Sequence, residues 1–259
     1  MSGTYKATGI NLKVMPLGES DRLLTLLSPE CGLIRAVAPG ARKPKNSLGS
    51  RSSLFMVNQL LIVRGRSLDK VIQAETSRIY TGLSKDLGKL MAGQYLAELT
   101  VAIALSNQPQ AELFALITEH LDRLHSLPPR HTPQLLAHLC QALFHLIALA
   151  GLAPQVQLCC QSQQPVTPDW QDPQWRVGFS SAAGGIVTLV NENMPTLSAI
   201  ELSWLRQLAQ PYLPAHVPSQ LNWVKLEQLL RSYIQYQLGR AIKSADFLES
   251  CLEPTSFLG

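Results

Sequence analysis

The residues best suited to chemistry by type and spacing are the cations of the run Arg42-Lys43-Pro44-Lys45. Three positive charges in four residues, with no carboxylate between Ala41 and Lys45, can follow the phosphates of a polyanion by electrostatic attraction. Pro44 favours an extended loop, and the glycine and serine residues that follow allow another backbone to approach closely. The alternative is a mobile surface loop whose lysines only keep the protein soluble.

Positive charge is concentrated in the first third of the chain. Residues 1–85 hold 13 Lys or Arg against 5 Asp or Glu (net +8), whereas residues 86–259 hold 9 against 13 (net −4). This asymmetry indicates that nucleic acid or another polyanion meets the first third. Aromatic residues are few there, so we expect phosphate contacts to outweigh base stacking. The candidate binding residues, whose alternative role is a solvated cationic face, are Lys13, Arg22, Arg35, Arg42, Lys43, Lys45, Arg51, Arg64, Arg66 and Lys70.

Catalytic motifs are not found in the sequence. It contains no phosphate-cradling glycine loop, no metalloprotease helix motif and no nucleophile elbow. A nuclease would need paired carboxylates to hold metal ions, and the only close acidic pair in the basic third, Glu19 and Asp21, falls in a predicted turn. We therefore expect a protein that is not an enzyme.

The cysteine and histidine residues do not form a metal-binding pattern. Cys159 and Cys160 are adjacent, and Ser162 stands where a zinc site would need a second thiolate. His138 and His145 share a helix face but have no acidic neighbour, which is more typical of a polar stripe than of a ligand pair. The sequence thus predicts no metal and no cofactor.

The expected compartment is a reducing cytoplasm. The odd count of five cysteines and the lack of an apolar segment at the N-terminus argue against a secreted disulfide scaffold. The most apolar run, residues 135–152, is long enough to raise the question of a membrane span. Because polar side chains form one stripe along it, we interpret it as an amphipathic or nearly buried helix.

The pattern of elements predicts an α+β protein. Residues 5–80 contain five short predicted strands with short turns and one long loop, which favours a five-stranded OB-fold barrel, with an SH3-like barrel as the alternative. Helical periodicity begins near residue 81 and is interrupted at 152–195 by an irregular insertion that contains a hairpin. Ser198 to Glu201 form a capping-box signature. The predicted domains are a barrel at 1–80, a helical domain at 81–245 and a weakly ordered tail at 246–259.

Several motifs resemble the bacterial RecO family of DNA repair proteins, over most of the chain to about residue 240. The resemblance is specific in the first 80 residues and loose in the helices. It rests on Gly18 to Leu27, Gly40 to Lys45, Arg64 to Leu68 with Ala74-Glu75, and Ala150 to Pro154 followed by Cys159.

The resemblance implies an N-terminal OB-fold joined to a helical domain. It also implies binding of single- and double-stranded DNA, annealing of complementary strands, and loading of RecA, with RecR, onto strands coated by single-stranded DNA-binding protein. The acidic tail of that binding protein is an expected partner of the helical domain. By motif match, the DNA-contact role falls on Arg22, Arg35, Arg42, Lys43 and Lys45.

The resemblance also locates a zinc module that this chain has mostly lost. In the family a four-cysteine module follows the segment at 150–154. Here Ser162 replaces one cysteine, and Thr188 and Asn191 fall about where the distal pair would stand. We interpret the insertion as a degenerate zinc-module-like segment that does not bind zinc.

A function of a different class also fits the charge distribution. The basic barrel of a protein-interaction adaptor would bind an acidic protein partner. That hypothesis predicts salt-sensitive binding to an acidic peptide and only non-specific affinity for DNA.

Overall fold

The computed structural model describes residues 3–129, 131–190 and 192–252. The chain divides into two compact units, Met1–Ser126 and Leu127–Gly259. In unit 1 the barrel and the three helices that follow it belong together. The predicted division at residues 80/81 remains a prediction.

Five strands form a closed barrel in unit 1, in the order β1-β2-β3-β5-β4. All neighbouring strands are antiparallel except β3 and β5, which run parallel. This arrangement confirms the predicted five-stranded OB-fold, and closing the barrel gives every strand two neighbours. The strands are β1 (Thr4–Leu17), β2 (Asp21–Ser28), β3 (Gly32–Ala38), β4 (Val57–Val63) and β5 (Asp69–Arg78).

The long strand β1 closes the barrel by pairing with two neighbours. Its first half pairs with β4 and its second half with β2, and Ile10 has a partner on both strands. An irregularity between Asn11 and Lys13 bends the strand at this change of partner. Small and branched apolar side chains fill the interior, including the fully buried Leu26 and Ile62.

Helices α2 (Thr81–Ser84), α3 (Leu87–Ile103) and α4 (Ala111–Ser126) complete unit 1. The connection before α4 covers the turn between β2 and β3, where the backbone N–H of Leu33 donates to Leu105 O at 2.9 Å. Gly32 in this turn has φ +70°, and a Cβ there would lie 2.2 Å from Leu105 O. This end of the β2–β3 hairpin is therefore closed by protein, and the other end carries the basic loop.

The basic loop, residues 39–53, differs from the extended conformation expected from Pro44. It folds into consecutive turns that lead into the one-turn helix α1 (Leu48–Arg51). The N–H of Lys43 donates to Gly40 O at 2.9 Å, and the N–H of Leu48 donates to Asn46 Oδ1 at 2.7 Å. The expectation of an extended loop was wrong because these local hydrogen bonds satisfy the backbone within the loop itself.

Unit 2 is mainly helical. The apolar helix α5 packs against α7, and most of α5 is buried, which is typical of a core helix, although by length and composition alone it could cross a membrane. The helices are α5 (Thr132–Leu149), α6 (Ala199–Gln207), α7 (Trp223–Leu238) and α8 (Lys243–Leu252).

The irregular insertion contains the predicted hairpin. Strands β6 (Val177–Ser180) and β7 (Gly185–Val187) form it, and β8 (Thr196–Leu197) pairs with the other edge of β6. The guanidinium of Arg206 on α6 donates to Val156 O and Val166 O, both at 2.7 Å, and so holds the irregular segment that precedes the hairpin.

Two further sequence interpretations in unit 2 have different outcomes. The capping box is present: Ser198 accepts from the N–H of Glu201, and the Glu201 carboxylate accepts from the N–H of Ser198. The segment expected to be a weakly ordered tail from residue 246 instead forms most of α8 as far as Leu252. The remainder of that predicted tail, residues 253–259, lies outside the described residues.

Candidate nucleic-acid interface

Lys13 and Arg35 lie in one row across the outer surface of the barrel. Lys13 on β1 is opposite Thr25 on β2, and Thr25 is opposite Arg35 on β3. Both cationic side chains are exposed. Because residues directly opposite each other point to the same face of a sheet, the two charges flank Thr25 on the outer face.

A second row on the same face combines apolar side chains with another cation. Met15, Leu23 and Val37 are opposite one another on β1, β2 and β3, and Lys70 on β5 is opposite Val37. Met15 is 41% exposed and Lys70 is also exposed. The face therefore presents positive charges beside aliphatic surface rather than aromatic platforms.

Arg22 differs from the other predicted binding residues because its side chain holds the basic loop. It lies on β2 opposite Ala38, a buried residue, so it points towards the inner side at the end of the barrel. Its Nη1 donates to Gly49 O at 2.7 Å and to Ser52 Oγ at 2.9 Å. These bonds fasten α1 and the residue after it across the end of the barrel.

Asp21 provides a second anchor for the basic loop, which sequence reasoning did not identify. Its carboxylate accepts from the N–H of Gly40 at 2.8 Å and from Ser20 Oγ at 2.8 Å. The Gly40 bond is the main cause that lowers the pKa of Asp21, with help from Ser20 and from the positive charges of Lys43 and Lys70. The signal available in the sequence was that Asp21 stands next to Arg22, near the start of a predicted strand.

The three cations of the loop are exposed on this anchored backbone. The N–H of Arg42 donates to Ser20 O at 2.9 Å, and its side chain donates to Gly18 O at 2.8 Å. Lys45 has φ +63°, so the chain reverses sharply beside Pro44. The loop therefore presents Arg42, Lys43 and Lys45 from folded turns instead of an extended segment.

The remaining predicted cations lie at other positions around the barrel. The guanidinium of Arg64 stacks over the Tyr5 ring at 5.3 Å, near the start of β1, and Arg66 is exposed in the same turn between β4 and β5. Arg51 is half-buried in α1, and its carbonyl accepts from the side-chain amides of two core asparagines. Lys43 and Lys70 lie close enough to Asp21 for their charges to lower its pKa, whereas Arg64 lies over Tyr5.

A groove of about 320 Å³ opens between the end of β1 and the basic loop. We call it the Arg22–Arg42 groove because a guanidinium from β2 and one from the loop both line it. Both cations belong to the predicted set, whereas the apolar and hydroxyl lining was not predicted. The full lining is Val14, Pro16, Arg22, Arg42, Ser53 and Leu54.

The segment of unit 2 around Cys159, predicted to resemble a degenerate zinc module, offers no set of metal ligands among its described residues. Cys159 Sγ accepts from the N–H of Ser162 at 3.5 Å and from the N–H of Thr188 at 3.3 Å, and it lies 3.4 Å from Thr188 Oγ1. Hydrogen bonds from Ser162 and then from Thr188 lower the pKa of Cys159 to about 6, although burial opposes them. Within residues 3–129, 131–190 and 192–252, no group of three His, Cys, Asp or Glu could hold a metal. Asn191, which the family comparison placed at the distal pair, lies outside the described residues.

Two family models match nearly the whole chain. The N-terminal domain of recombination protein O matches residues 1–80, which contain the barrel, and the C-terminal domain of the same protein matches residues 84–246. The residues of the candidate interface all lie within the first match.

Proteins that are similar to this chain over nearly its full length carry the name DNA repair protein RecO. A DNA repair protein RecO from Nostoc sp. strain PCC 7120 is 50% identical, with 96% of this chain and 97% of that protein covered. The protein of the same name from Trichodesmium erythraeum is also 50% identical, with 99% and 97% covered. The one from Synechocystis sp. strain PCC 6803 is 46% identical, with 98% and 99% covered. With both family models and these relatives spanning the barrel and the helices, the chain belongs to the RecO family of DNA repair and recombination proteins.

Proposed function

We propose that this protein is a non-enzymatic recombination mediator in the cytoplasm. It binds single- and double-stranded DNA and anneals complementary strands. With RecR, it helps to load RecA onto strands coated by single-stranded DNA-binding protein, whose acidic tail it also binds. Family membership supports a role in DNA repair and recombination. The DNA-binding residues are those of the barrel.

The observation that carries the proposal is the arrangement of charge on the outer face of the barrel and beside the start of β2. Lys13, Arg35 and Lys70 lie on one outer face, and Arg42 and Lys43 project beside it from the anchored loop. Such a surface attracts phosphates of any sequence, which suits a protein that handles strands by their backbone. Two strands held along one cationic surface repel each other less, and this is the physical basis proposed for annealing.

Titration of a labelled single-stranded oligonucleotide over a salt series tests the binding site. The wild type is compared with a triple variant, Arg42→Ala, Lys43→Ala and Lys45→Ala. Each phosphate contact on a single strand contributes about 0.7 to the slope of log affinity against log salt, so the variant should lose a slope of about 2. A matched control, Lys85→Ala, Arg176→Ala and Arg240→Ala, removes the same charge from exposed positions elsewhere.

The outcomes separate the two functions proposed for the barrel. Loss of affinity and slope in the loop variant, but not in the control, supports the DNA site. Equal effects in both variants would mean that only net charge matters. If the wild type binds an acidic peptide but no DNA at low salt, the barrel belongs to a protein-interaction adaptor.

Strand annealing and RecA loading need separate assays that include the partner proteins. Annealing is measured as the rate at which complementary oligonucleotides coated with single-stranded DNA-binding protein form duplex. Loading is measured as RecA ATPase activity on coated strands with RecR present. The loop variant should slow both reactions, and a wild-type protein that accelerates neither would refute these steps while leaving DNA binding intact.

A further inference from the structure

The Arg22–Arg42 groove has the features of a site for one nucleotide. We propose that it receives a single unpaired nucleotide of a DNA strand, with the base against its apolar wall and the phosphate on Arg42. The inference rests on the proposed function of DNA binding, and it adds a subsite that prefers unpaired over paired DNA.

The size of the groove suits one nucleotide. Its volume of about 320 Å³ falls at the lower end of the range for clefts that hold small ligands, which begins near 300 Å³. A base can enter such a space only after it has left the stack of a duplex. The groove should therefore favour an unpaired base over a paired one, because an unpaired base enters without the loss of a base pair.

The charges that line the groove are available to a phosphate. Within the described part of the chain, Arg22 donates side-chain hydrogen bonds through Nη1 only, and Arg42 donates through Nη1 to one carbonyl. A guanidinium carries five N–H donors, so each retains donors for a ligand. Among the residues that the structure describes, neither arginine forms an ion pair with a carboxylate. A guanidinium group without a carboxylate partner can bind two phosphate oxygens through two parallel hydrogen bonds.

The other side chains of the groove suit a base. Val14 and Leu54 are half-buried and Pro16 is exposed, so they offer an apolar wall at the mouth of the groove. An apolar wall can cover the face of any base, because every base presents a flat π surface. The hydroxyl of Ser53 can either donate or accept, and therefore tolerates different base edges.

Filling the groove without changing its charge tests the proposal. Ser53→Trp places a large side chain in the groove, whereas Ser50→Trp adds the same side chain at an exposed position of α1 that does not line it. Each variant is titrated with a labelled single-stranded oligonucleotide and with its duplex. Ser53→Trp should weaken binding of the single strand about fivefold or more, as loss of one base contact would, and leave duplex binding and salt slope unchanged. Ser50→Trp should change neither.

A second comparison keeps the test valid if Ser53→Trp disturbs the loop. Leu54→Ser removes part of the apolar wall, and both variants are titrated with an oligonucleotide whose units are abasic but keep their phosphates. The wild type should prefer the strand that has bases, and the variants should lose that preference. A preference that is the same in wild type and variants would overturn the proposal.

The remaining outcomes separate this proposal from the function on which it rests. If the wild type binds DNA and Ser53→Trp has the same affinity as wild type for both the single strand and the duplex, the groove proposal fails and DNA binding stands. If the wild type binds no DNA, both fail. If Ser53→Trp weakens an acidic peptide but not the single strand, the groove binds a protein and the nucleotide assignment is wrong.

Discussion

The carboxylate of Asp21 accepts a hydrogen bond of 2.8 Å from the backbone N–H of Gly40, so the first residue of β2 fixes the start of the basic loop. Gly40 has φ +62°, a conformation that glycine adopts without steric cost. Through this bond a carboxylate organises the backbone of a positively charged loop. The shape of the loop is therefore set before any ligand arrives.

Gly40→Ala should destabilise the protein more than the same change at another left-handed glycine. A Cβ at Gly40 would lie 2.6 Å from Asn46 Nδ2, whose amide also hydrogen-bonds Pro39 O. We expect a loss of about 2–4 kcal/mol, from left-handed strain together with displacement of that amide. Denaturant unfolding of the purified variants measures the difference.

Gly18→Ala is the matched control for this prediction. Gly18 has φ +57°, but nothing lies within 4 Å of an added Cβ, so only the backbone strain of about 1–2 kcal/mol remains. Equal losses in the two variants would show that contact with Asn46 does not constrain the loop.

The bond between Asp21 and Gly40 should weaken in acid. Because the pKa of Asp21 is lower in the folded protein than in the unfolded chain, its contribution is present above the ordinary aspartate value of about 3.9 and is lost as pH falls through the folded value. The amide NMR signal of Gly40 should therefore shift with a midpoint below about 3.9. A midpoint at or above that value would contradict the role of the bond in lowering the pKa.

Arg22→Gln and Arg35→Gln each remove one positive charge but should differ in stability. Arg22→Gln loses the bonds to Gly49 and Ser52, at a cost of about 1.5–3 kcal/mol. Arg35 is exposed, so its variant should unfold within about 0.5 kcal/mol of wild type. Arg35→Gln should still lower the salt slope of single-strand binding by about 0.7. Similar stability of the two variants would argue against Arg22 as an anchor.

The contribution of Cys159 to the stability of unit 2 should rise with pH. Hydrogen bonds from Ser162 and Thr188 bring the pKa of this thiol to about 6, below its value of about 8.5 in an unfolded chain. The stabilisation is thus fully present above about 8.5 and is lost as pH falls through about 6. Unfolding of wild type and Cys159→Ala at pH 6 and pH 9 should show a rise with pH in wild type that the variant lacks. Parallel curves would mean that the thiol does not ionise in this range.

The sequence determined the class of the fold and the location of its charge. Alternation in the first strand and short apolar runs between turn residues in the others predicted all five strands of the barrel, because both signals are local properties of the chain. The capping box at Ser198 was readable for the same reason, since all of its hydrogen bonds join residues three apart. The motif runs also identified the family.

Only the tertiary structure decided how the cations are used. Arg22 and Arg35 look alike in the sequence as charges within strands, yet one turns inward to hold Gly49 and the other faces outward. The basic loop was expected to be extended, but local hydrogen bonds fold it into turns, and Asp21, nineteen positions away from Gly40, anchors its start. Such contacts join residues far apart in the chain, so no local pattern encodes them, and the groove between Arg22 and Arg42 exists only once the barrel has closed.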